Sequence, residues 1–74
     1  MQNRDTVRAQ MARLLNHPVE KLRDDVELMD LVSDSMILVN MVIELQEDLG
    51  VRLVQQDLKD VRSVGDLLGV FERK

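Results

Sequence analysis

The 74-residue chain has a formal charge of −4, is 45% hydrophobic with Phe71 as its one aromatic residue, and contains no cysteine. This length allows one small domain, 1–74, and without a disulfide its core supplies only about 3–5 kcal/mol of stability. The missing cysteines exclude thiolate catalysis, iron–sulfur ligation and cysteine-based zinc sites; the acidic balance disfavours nucleic acid as a partner; and no apolar run reaches the roughly 18 residues that a membrane span requires.

Helical periodicity begins at Arg4. Val7, Met11, Leu14 and Leu15 fall at helical spacing, with Arg8 and Arg13 on other faces, which predicts a helix over 4–16. Asn3 or Asp5 is placed to cap its start. His17-Pro18 ends it, because a residue before proline is pushed out of the helical region. The 1–13 stretch mixes charges of both signs and lacks the continuous apolar core of a secretory signal.

From Val19 to Asp34 no single period holds. Val19, Leu22, Val26, Leu28 and Leu31 are spaced irregularly among charged residues. This reads as a long connection that sends a few side chains into the core. Loops of this length in small domains are often functional.

Ser35 to Leu49 is the strongest helix. Val39, Val42, Leu45 and Leu49 form one stripe with Leu38 beside it, while Glu44, Glu47 and Asp48 take the other side. Asp34 or Ser33 can cap its start, and Gly50 stands where a left-handed C-cap is expected. Met36, Ile37 and Met41 fall partly outside the stripe. Either the buried face is wide or these residues form a docking patch for a partner.

Val51 to Val54 reads as an extended connector, and Gln55 to Asp60 as one short helical turn. Ser63-Val64-Gly65-Asp66 has the spacing of a capping box. A last helix then runs to about Arg73 and buries Val64, Leu67, Leu68 and Phe71. The sum is an all-α domain, a four-helix bundle of three main helices and one short one, with a long first loop. Its core must be aliphatic and rich in methionine, which favours adaptability over tight shape-matching.

The inventory does not build an enzyme. The one histidine, His17, reads as a surface or capping residue, with no neighbour to complete a triad. There is no glycine-rich phosphate loop, and Asp24, Asp25, Glu27 and Asp30 lack the spacing and glycine of a calcium loop. The informative position is Ser35, in the first turn of the best helix after a long exposed loop. A helix N-terminus has unpaired N–H groups and a partial positive charge, so a phosphodiester there would be stabilised. On position alone, a plain N-cap at Ser33 or Ser35 is the favoured reading.

The stretch Asp30-Leu31-Val32-Ser33-Asp34-Ser35-Met36 resembles the Asp-Leu-Gly-x-Asp-Ser-Leu motif of the acyl carrier protein family. Downstream, Val39, Val42, Glu44-Leu45 and Glu47-Asp48-Leu49-Gly50-Val51 resemble that family's second helix and its glycine-terminated end. Leu53, Val61 and Ser63-Val64-Gly65-Asp66 follow at the family's spacing, and residues 1–16 fit its first helix by pattern. Val32 stands where the family has glycine, and Ile37 and Asn40 stand where fatty-acid carriers are often acidic.

The resemblance implies a non-catalytic carrier. A phosphopantetheinyl transferase would attach 4′-phosphopantetheine from coenzyme A to Ser35, with Asp34 as its motif neighbour. The arm's thiol would hold an acyl group for a ketosynthase, an acyltransferase or an adenylating ligase. Met36, Ile37, Met41, Glu44, Glu47 and Asp48 are the expected docking face. Polyketide or specialised fatty-acid-like cargo is the first expectation, and an aminoacyl group, as on the similar D-alanyl carrier proteins, the second. The rival from another class is an unmodified helical interaction module. A free-standing cytoplasmic monomer, dependent on neither membrane nor metal, completes the expectation.

Overall fold

The computed structural model describes residues 2–74; Met1 lies outside them. Helix α1 spans Arg4–Leu15, α2 spans Ser35–Leu49 and α3 spans Val64–Glu72. Short 3₁₀ turns occupy Val19–Lys21, Leu28–Asp30 and Gln55–Leu58. The short fourth helix expected over Gln55–Asp60 is thus a four-residue 3₁₀ turn. So short a segment does not repay α-helix nucleation. The Asp57 carboxylate closes the turn by accepting from the Val54 N–H at 3.0 Å.

Each α-helix starts on a side-chain cap. Asn3, and not Asp5, caps α1 by accepting from the Asp5 and Thr6 N–H groups at 2.8 and 3.2 Å. Helix α1 stops one residue earlier than its periodicity suggests, because Asn16 adopts the left-handed conformation at φ 58°, which asparagine tolerates better than most residues. The His17 N–H then bonds the Ala12 carbonyl at 2.9 Å and the Asn16 N–H bonds that of Arg13 at 3.3 Å, the pairing of a Schellman motif. Gly50 ends α2 in the same conformation at φ 64°. The capping box at α3 is formed: Ser63 Oγ accepts from the Asp66 N–H, and the Asp66 carboxylate accepts from the Ser63 and Arg62 N–H groups, all at 3.1 Å. Those backbone bonds, Ser63's first, hold the Asp66 carboxyl below its ordinary 3.8.

Helix α1 packs on both α2 and α3. Val7, Met11, Leu22, Leu45, Val64, Leu67, Leu68 and Phe71 are fully buried between them, and Val70, absent from the sequence expectation, is buried too. Among the described residues the core holds no polar or charged side chain. Each such side chain contributes roughly 1.5–3 kcal/mol when buried, most of which the lost chain entropy offsets.

The core face of α2 is rotated from the expected stripe. Met41 is buried at 4% exposure, beside Leu45, whereas Val39 is 46% exposed. Both 38–41–45 and 39–42–45 are helical spacings, and α2 is apolar almost all round in its first two turns. Periodicity alone cannot choose between these faces.

The long connection is stapled to the rest of the molecule. Leu22 and Leu28 are buried, Val26 and Leu31 half-buried, and Val19 exposed. Leu28 N–H bonds the Arg62 carbonyl at 2.9 Å, Val64 N–H bonds Val26 at 2.9 Å, and Gly65 N–H bonds Asp24 at 3.0 Å. Asp24 also pairs with Arg8 at 2.6 Å and Arg4 at 2.8 Å, and Arg4 pairs with Glu72 at 3.0 Å. The Arg8 guanidinium donates to the Leu22 carbonyl as well. One cluster therefore links α1, the connection and α3.

Candidate functional site

At the start of α2, Asp34 has an extended backbone and its carboxylate accepts from the Met36 N–H at 2.9 Å. Its own carbonyl accepts from the Ile37 N–H at 3.0 Å. Asp34, rather than Ser33 or Ser35, is the cap. Ser35 is the first helical residue, exposed and relieved of capping duty. The Asp34 carboxylate at the cap offsets part of the partial positive charge of the helix end, and no acidic side chain inside the first turn adds to that offset. An exposed hydroxyl in that field suits a phosphodiester, which needs access from solvent and is stabilised by the helix terminus. Ser35 and its surroundings therefore fit a covalently attached phosphate-bearing group.

The segment leading to Ser35 is fixed at two points. Leu28 is buried and bonded to Arg62, and the Leu31 N–H closes the 3₁₀ turn onto the Leu28 carbonyl at 3.0 Å. The Leu31 carbonyl lies 2.9 Å from His17 Nε2. His17 is therefore more than a surface or helix-end residue: its half-buried ring ties the end of α1 to the loop before Ser35. Nothing in the sequence signalled this contact, because a backbone carbonyl leaves no mark on residue type.

The expected docking residues separate. Met36 and Ile37 are exposed at 58% and 44%, and Glu44, Glu47 and Asp48 are exposed too. Asp48 accepts from Gln10 Nε2 of α1 at 2.7 Å. Met41 is a correction: it faces the core and contributes nothing to an outer surface. Val39 and Ile43, outside the expected set, are exposed instead. The outer face of α2 is thus apolar toward its N-terminal end and acidic toward its C-terminal end.

An apolar cleft of about 250 Å³ opens beside this face, lined by Leu28, Leu38, Val42, Leu58, Val61 and Leu67, with Val39 and Ile43 also bordering it. Gln46 is the one polar residue in its lining. Gln46 Oε1 accepts from the Leu53 N–H at 2.8 Å, and its Nε2 donates to the Val42 carbonyl at 3.4 Å. Its amide is therefore engaged at both ends. Among the described residues no cluster could hold a metal ion, and no helix is long and apolar enough to cross a membrane.

Comparison with known proteins agrees with this geometry. A family model described as "Phosphopantetheine attachment site" matches residues 5–71. The acyl carrier protein of Thermotoga maritima is 36% identical over 45 residues. That stretch covers 61% of this chain and 56% of the relative, so the match spans little more than half the relative's length.

Proposed function

The chain belongs to the acyl carrier protein family, whose domain is the site of covalent 4′-phosphopantetheine attachment, and we propose that Ser35 takes that arm. The observation that carries this reading is the division of labour at the start of α2. Asp34 caps the helix, which leaves the exposed Ser35 hydroxyl uncommitted in the field of the helix N-terminus. A phosphopantetheinyl transferase moves the arm from coenzyme A onto this hydroxyl. The serine oxygen bonds to the phosphorus of the arm, the pyrophosphate P–O bond of coenzyme A breaks, adenosine 3′,5′-bisphosphate leaves, and the hydroxyl proton passes to a base of the transferase. When bound, the arm supplies the thiol that a cysteine-free chain lacks and holds cargo as a thioester.

The protein's own work is presentation. Tethering raises the local concentration of cargo at each partner's active site. Met36, Ile37, Glu44, Glu47 and Asp48, joined by Val39 and Ile43, are the docking face. Its apolar end sits closest in sequence to Ser35, and its acidic end suits a partner with a basic patch. We place this work in the cytoplasm, in a monomeric and non-catalytic carrier. Its partners are the acyl-loading and chain-processing enzymes of a dedicated pathway.

An acyl chain of polyketide or specialised fatty-acid type is the cargo we favour. The cleft beside α2 is lined almost wholly by aliphatic side chains, and its one amide is already bonded at both ends. An aminoacyl ammonium would find there only an amide oxygen that already accepts one bond, and burying a charge so poorly paired would be costly.

The test is intact-protein mass after incubation with coenzyme A and a promiscuous transferase, for wild type and Ser35→Ala. We expect wild type to gain one phosphopantetheine unit and the variant none. A folded wild-type chain that gains no mass, or a variant that gains it, overturns the assignment; the former outcome favours an unmodified interaction module.

A further inference from the structure

We infer that His17 is a positioning residue for arm attachment: through its hydrogen bond to the Leu31 carbonyl it fixes the loop that presents Ser35. The inference rests on the reading of Ser35 as the attachment site.

The ring has a firm base. The His17 backbone N–H is committed to the Ala12 carbonyl at 2.9 Å in the Schellman motif that ends α1. Pro18 follows and narrows the backbone freedom of His17. The half-buried ring then meets the Leu31 carbonyl at 2.9 Å. A carbonyl only accepts, so Nε2 carries the proton and donates. The Nε2–H tautomer meets this requirement.

What the bond holds lies close to Ser35. Leu31 ends a turn whose first residue, Leu28, is buried and bonded to Arg62 at 2.9 Å. That turn is thus anchored toward α3 at one end and toward α1 at the other. Only Val32 and Ser33 separate the held Leu31 from the Asp34 cap. Val32 has a β-branched side chain and less backbone freedom than a glycine would have. The loop is short and held at both ends. Removing the His17 donor frees one end and leaves a half-buried carbonyl without its partner.

A transferase must meet the Ser35 hydroxyl in one geometry, and a loop that samples many conformations offers it less often. One hydrogen bond of ordinary net strength corresponds to a change of about three- to tenfold. We therefore expect His17→Ala to lower kcat/KM for arm transfer by about that factor. His17→Gln, whose amide can also donate, should recover most of the rate.

The experiment follows arm transfer from coenzyme A by intact mass for wild type, His17→Ala and His17→Gln, with amide hydrogen exchange on the same samples. The expected result is slower transfer and faster exchange over residues 32–35 in His17→Ala, unchanged exchange in the α3 core, and restoration of both by glutamine. A folded His17→Ala chain modified at the wild-type rate overturns the inference. So does a His17→Gln chain as slow as the alanine variant, or slow transfer accompanied by loosened exchange throughout. If His17→Ala does not fold, the glutamine variant alone decides by its rate. A wild-type chain that accepts no arm instead sinks the reading of Ser35, and the exchange data then report separately whether His17 holds the loop.

Discussion

Where α1, the 22–28 stretch and α3 meet, Asp24 is gripped by Arg8 and Arg4, Arg4 reaches Glu72 at the far end of α3, and the Gly65 N–H bonds the Asp24 carbonyl. Along the outer face of α2, by contrast, Met36, Ile37, Val39 and Ile43 are exposed, and among the described residues no ion pair involves this helix. The first region joins three segments far apart in sequence. The second leaves apolar side chains in water beside the uncommitted hydroxyl of Ser35. Exposed apolar residues contribute little to folding, so their grouping at the candidate site points to a role in contact with other molecules.

Core substitution should have the largest effect on stability. Leu67→Ala, at a fully buried position, is expected to cost about 2–5 kcal/mol, close to all that so small a domain has. Met36→Ala, on the exposed face, should stay within about 0.5 kcal/mol. Denaturant melts of the two variants test the contrast, and equal losses would erase it.

Gly65→Ala comes next. A Cβ there would meet the Asp24 carbonyl oxygen and Cβ at 3.0 Å. These are backbone and near-backbone atoms that cannot swing aside, so the connection must shift away from α3. The expected cost is about 1–3 kcal/mol, read as a lower denaturation midpoint.

Asp24→Asn should have a smaller, pH-dependent effect. The hydrogen bond from Arg8, then that from Arg4, holds the Asp24 carboxyl below its ordinary 3.8. A carboxylate lowered in this way contributes stability above its ordinary value and loses it as pH falls through the lowered one. The variant should therefore melt below wild type at neutral pH, and the gap should close as the pH drops below 3.8. Asp24 is half-exposed, so salt should narrow the gap too. A gap that persists unchanged in acid would assign the effect to packing.

Glu47→Lys should leave the melt nearly unchanged, because Glu47 is exposed and unpaired among the described residues. On the proposed docking face, its effect is expected in partner association instead. Reversing a charge at the edge of an interface acts mainly on association rate, so delivery to an acyl-loading partner should slow several-fold at low salt and recover at high salt. Unchanged delivery kinetics would remove Glu47 from the proposed docking face.

Much of the site could be read directly from the chain, and the structure shows why. Asp34 capping α2, Gly50 ending it and the Ser63–Asp66 box are each complete within four residues, so residue type and spacing specify them. The motif around Ser35 is equally local. Met41 was misplaced for the opposite reason. With Met36 to Val39 and Met41 to Ile43 all apolar, every side of the first two turns of α2 qualifies as a core face. Only packing against the other elements buries Met41 and exposes Val39.

The sequence by itself determined the helix ends to within a residue or two, the aliphatic core, the acidic balance and the position of the candidate attachment serine, because each depends on neighbours along the chain or on composition. The tertiary structure decided the rest: which face of α2 is buried, how a seemingly loose connection is bound through Leu28–Arg62 and Asp24–Gly65, and what His17 holds. Those contacts join residues 14 or more positions apart and mostly end on backbone atoms. Any residue supplies such atoms, so only the folded chain reveals the pairing.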